Sequence, residues 1–105
     1  MNKQDLLKHH MTLLWEDMLC HAKLSMKHVE LAKTAKMYDQ IDICNININM
    51  ASKFMNELKS YHSDFYKICD GECKEEMKTS MFYPVIKATI GWFNTINEEI
   101  ENLKK

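Results

Sequence analysis

Asp17 and His21 stand four residues apart, a spacing that on an α-helix aims both side chains at one point. At 100° per residue, His10 and His28 share that face with Leu6, Leu13, Leu14, Leu24, Leu31 and Ala35. Ionisable groups inside an apolar arc are costly to bury without partners. The pattern therefore predicts a polar or metal-binding interior. Imidazole and carboxylate donors together suit zinc, iron or manganese.

Folding the chain back on itself at residues 38–40 brings His62 level with Asp17 and His28 level with Asn47. It also brings His10 level with Cys69 and Glu75. Asp17, His21 and His62 are thus the candidate metal ligands, with His10, His28 and Glu75 extending the site or forming a second one. Di-iron bundles use Glu-x-x-His pairs on facing helices, and this chain has none. The same residues allow a metal-free alternative, a buried network in which Asp17 accepts hydrogen bonds from His21 or His62. His9, adjacent to His10, falls on the solvent side.

The segment Cys69-Asp70-Gly71-Glu72-Cys73 is the second constellation. A turn there brings two sulfurs near enough for a disulfide or for two metal ligands. A zinc site needs a second such pair, and Cys20 and Cys44 are far from it and from each other. An iron–sulfur cluster needs more clustered thiolates. The simplest reading makes Cys69 a small apolar residue at a helix end and Cys73 a surface thiol.

The elements that must position these groups are helices. Two glycines and one proline in 105 residues leave few places to turn, and a β-rich fold needs many more. A first helix, capped by Asn2 or Asp5, runs to about Met37, and Tyr38-Asp39-Gln40 is the first connection. Residues 41–50 alternate like a strand, but a longer window fits a helix. Ile43, Ile46, Met50, Phe54, Tyr61, Phe65 and Ile68 then share a side, continued by Cys44, Ile48, Ala51, Met55, Leu58 and Cys69. This arc of about 200° makes the second helix central.

Asp70-Gly71 reads as the next stop, with Gly71 suited to a left-handed C-terminal cap. A third helix starts near Glu72 and carries Phe82, Val85, Ile86, Thr89, Phe93, Ile96, Ile100 and Leu103 on one stripe. Pro84 should kink or divide it. Short connections favour antiparallel neighbours. The expected fold is one all-α domain over residues 1–105, an antiparallel three-helix bundle with its third helix kinked or split at Pro84. Trp15, Leu19, Met26 and Trp92 fall on flanks that such a layer leaves open, so self-association as a homodimer is expected.

A net charge of −1 gives no basic footprint for nucleic acid. No apolar run reaches the roughly 18 residues that span a bilayer, and the N-terminus has no secretory pattern. A cytoplasmic protein with reduced cysteines is expected. Gly-rich phosphate loops, G-x-S-x-G elbows and H-E-x-x-H motifs are absent. Two functions fit these features. One is transition-metal binding inside the bundle for sensing, storage or modest redox chemistry. The other is a non-catalytic helical module that binds itself or another helical protein, with a buried His/Asp network.

Overall fold

A computed structural model describes residues 2–105, which are almost wholly helical, with no strand among them. Helix α1 (Lys3–Met37) opens on Asn2, whose side chain accepts the Asp5 N–H at 2.9 Å. That satisfies one of the donors a helix start leaves unpaired. The helix ends where Asp39 adopts φ 57°, a left-handed conformation that Asp tolerates better than most residues. Gln40 N–H closes the turn onto Ala35 O at 2.9 Å. Helix α2 (Ile41–Glu72) follows at once, so the alternating residues 41–50 are helical.

Helix α2 does not stop at Asp70-Gly71. It continues through Glu72, and Cys73 N–H still reaches Cys69 O at 3.3 Å. Gly71 has no positive φ, so the left-handed cap expected there is not used. The third helical stretch begins later, with one short turn, α3 (Glu75–Met77). A π-helical turn over Lys78–Phe82 then leads into α4 (Tyr83–Lys104), with Pro84 in its first turn. Proline has no N–H for the carbonyl four residues back and its ring crowds that carbonyl. The irregularity expected at Pro84 is this wide turn immediately before it.

Contacts between α1 and α2 step forward on one helix as they step backward on the other: Gln4 with Glu72, Met11 with Cys69, Ser25 with Ala51, His28 with Asn47. The buried stripe of α1 is Met11, Met18, Ala22, Ser25, Val29, Ala32 and Ala35. Its small residues let α2 approach closely, and the buried Ser25 hydroxyl donates to Ala51 O at 2.8 Å. Helix α2 answers with Cys44, Ile48, Ala51, Met55, Leu58, Phe65 and Cys69.

Helix α4 packs against both. Lys33 pairs with Glu99 at 2.8 Å, Lys36 Nζ donates to Leu103 O at 3.1 Å, and His62 of α2 packs edge-on against Phe93 at 5.5 Å; in the π-helical turn before α4, Phe82 stacks on Phe65 at 5.9 Å. Two apolar clusters result. One holds Val29, Ile48, Ile96 and Ile100, the other Met11, Met18, Leu58 and Phe65. Trp92 and Phe93 pack against both. Trp15 lies on Trp92 with ring centroids 5.3 Å apart and planes 15° from parallel. These two tryptophans, read from sequence as open flank, are half-buried by one another.

Candidate functional site

The histidines of α1 do not face the interior. Leu19 and Met26 lie beside Trp92 and Ile96 of α4, and His21 and His28 follow each of them by two residues, or about 200° around the helix. The deep stripe of Met18, Ala22, Ser25 and Val29 runs between these two flanks. His21 and His28 therefore line a seam between α1 and α2 on the side away from α4. Leu6, Leu13 and Leu31, whose arc defined the expected interior, are exposed.

Along that seam, polar and aromatic side chains alternate in contact. His28 Nδ1 meets Asn47 Oδ1 at 2.9 Å, and its ring stacks on Phe54 at 5.4 Å. His21 lies 6.1 Å from the Phe54 ring and 5.0 Å from Tyr61. Its Nδ1 is 2.8 Å from the backbone oxygen of Asp17, and its Nε2 is 2.9 Å from Glu57 Oε2. Both ring nitrogens thus face acceptors, an arrangement that only the imidazolium satisfies at once. The Asp17 carboxylate is exposed and takes no part in this.

The remaining candidates are dispersed. His10 is exposed. Glu75 is exposed and lies 3.9 Å from Lys78. His62 packs edge-on against Phe93 at 5.5 Å, and its buried Nε2 has no hydrogen-bond partner. Burial holds its pKa below the free value of 6.5. Among the described residues, no three His, Cys, Asp or Glu side chains gather where they could hold a metal ion.

The expected centre of Asp17, His21 and His62, extended by His10, His28 and Glu75, is therefore corrected. Its donors for zinc, iron or manganese lie at different places along α1, α2 and α3. The buried Asp17 network is corrected too, because Asp17 contributes only its backbone carbonyl. Sequence spacing did find the His28–Asn47 contact. It missed Glu57, which lies level with His21 and reaches its Nε2.

The four cysteines are free thiols. Cys69 is fully buried, and desolvation, with Cys73 beside it, pushes its pKa up to about 12. Its Sγ lies 3.4 Å from Met11 Sδ, and Cys73 Sγ lies 3.6 Å from the same atom. Cys73 is therefore a half-buried participant in a sulfur contact, where a surface thiol was expected. Among the described residues, no helix is long and apolar enough to cross a membrane.

No protein-family model matches the chain. No curated protein and no solved structure matches it either.

Proposed function

We propose that the protein is a non-catalytic helical interaction module, an antiparallel three-helix bundle whose α1–α2 seam seats a second copy of the chain. One observation carries this reading. Leu31, Tyr38 and Ile43 line a shared depression beside the α1–α2 turn, with exposed Met37, Ile41 and Ile46 on the same end of the molecule. Ile46 is 60% exposed and Ile41 58%, and single exposed apolar residues are ordinary where a cluster is not.

The shape supports the same reading. The molecule measures 56 × 20 × 16 Å with a radius of gyration of 16.5 Å, against about 13 Å for a compact chain of this length. Its accessible surface is 6719 Å², where a compact monomer of this mass exposes about 6,200 Å². A 56 × 20 Å face exceeds the roughly 800 Å² per partner of a stable interface. A two-fold dimer through the seam would cover both copies of the Leu31–Ile43 depression with one contact. Free thiols at all four cysteines fit a reducing compartment such as the cytoplasm.

Sedimentation tests this. The wild type should run at twice 12.5 kDa at high micromolar concentration, and the double variant Ile43→Lys, Ile46→Lys should run as a folded monomer. A wild-type monomer at that concentration overturns the reading. A dimer that survives both substitutions moves the interface away from the seam.

A further inference from the structure

Three sulfur atoms converge where α1 begins and α2 ends, away from the seam. Cys69 and Cys73 are four residues apart, and the Cys73 N–H to Cys69 O bond extends the helical ladder between them. Their side chains therefore leave the same face one turn apart. Met11 of α1 lies against both, its Sδ 3.4 Å from one thiol and 3.6 Å from the other. Met11 and Cys69 are fully buried. Met77 and Met81 pack against the larger apolar cluster that contains Met11 and Cys69.

We propose that Met11, Cys69 and Cys73 form a three-coordinate site for a soft monovalent metal ion of the copper(I) class. The site shares no residue and no donor type with the imidazole–carboxylate centre corrected above. Thiolate and thioether together are the soft donors such an ion selects. A metal–sulfur bond of about 2.3 Å, as in zinc thiolates, places three sulfurs about 4 Å apart around a central ion. The two separations from Met11 Sδ, 3.4 and 3.6 Å, need to open by only about half an ångström to reach it.

Other metals fit less well. Zinc takes four ligands drawn from cysteine, histidine and carboxylate, and no such set assembles among the described residues. An iron–sulfur cluster takes four cysteines.

Binding is an exchange with no electron transfer. Each thiol gives its proton to solvent, two metal–thiolate bonds form, and the thioether donates a lone pair without losing anything. The ion stays monovalent, and the site carries one net negative charge.

The test titrates the full chain, its thiols reduced beforehand and the reductant removed, under anaerobic conditions into copper(I) kept monovalent by ascorbate and held by a coloured bidentate chelator. The wild type should withdraw one copper(I) per chain. Cys73→Ser and Met11→Leu should both lose that equivalent while keeping the helical far-UV spectrum, since Leu conserves the Met volume closely. His21→Ala and Cys20→Ser should bind as the wild type does. Failure of the wild type to withdraw copper overturns the proposal, as does undiminished binding by Cys73→Ser. Loss in Cys73→Ser with full binding in Met11→Leu removes the thioether and overturns the three-sulfur site. X-ray absorption on the loaded wild type decides independently of folding: an all-sulfur shell is expected, and a nitrogen or oxygen neighbour refutes it.

Discussion

Removing the Glu57 carboxylate should weaken the His21 seam, and removing the Asp17 carboxylate should leave it nearly unchanged. His21 touches Glu57 through its side chain at 2.9 Å and Asp17 only through the backbone oxygen. Asp17→Ala keeps that oxygen, so its effect should stay within about 0.5 kcal/mol, as for an ordinary surface change. Glu57→Ala removes a charge-assisted partner. Such bonds contribute about 1.5–3 kcal/mol when well shielded, and exposed pairs about 0.2–1 kcal/mol. The His21 side chain is 17% exposed and Glu57 is 40% exposed. The coupling should accordingly fall near the top of the exposed range, about 0.5–1 kcal/mol. A double-mutant cycle over His21→Ala and Glu57→Ala isolates it. Urea midpoints should be taken in mildly acidic buffer, where imidazoles are largely charged, and at fixed chain concentration, because association shifts apparent stability. The coupling should shrink in high salt. A coupling near zero, or one that appears between His21 and Asp17 instead, refutes this account of the seam.

Leu58→Ala should destabilise by about 2.7–5 kcal/mol, because Leu58 is fully buried and deletion leaves a cavity as well as losing transfer energy. Phe54→Ala should cost clearly less, since Phe54 is half-exposed on the seam; equal urea midpoints for the two variants would contradict this core. His62 makes a pH prediction. Its ring is neutral in both states above the free pKa of 6.5. Below that value the unfolded chain takes up the proton more readily than the folded one. Stability should therefore fall as pH drops from about 7.5 to 5.5, and His62→Leu should flatten that slope. An unchanged slope in His62→Leu would mean the ring is wet. Ser25→Leu should force α1 from Ala51 and cost about 1–3 kcal/mol or more by overpacking, checked by thermal unfolding.

The helices and their pairing level were legible because turn residues are scarce and each helix is long. Even a register error of one turn left His28 opposite Asn47. The facing of α1 was not legible, because its apolar residues surround it. Its true stripe of Met11, Met18, Ala22, Ser25, Val29, Ala32 and Ala35 holds small and polar residues, while Leu6, Leu13 and Leu31 stand outside. Large leucines dominate a wheel, but a helix pressed close to its neighbour buries small side chains. That rotation of the buried face turned an apparent interior into a seam, and it hid Met11 from view as a partner of Cys69. Gly71 misled for a related reason: glycine permits a left-handed cap, but α2 had carbonyls and packing to continue through it to Glu72.

The face-to-face indoles of Trp15 and Trp92, the only two in the chain, give this protein a built-in optical gauge. They sit on α1 and α4, so their electronic transitions couple only while the third helical stretch is docked. Near-ultraviolet circular dichroism should show a strong indole signal from the native protein. An opening in which α4 lifts while α1 and α2 stay paired would erase that signal and leave most far-ultraviolet ellipticity intact. Partial opening and global unfolding would then be distinguishable in one cuvette, without any attached dye.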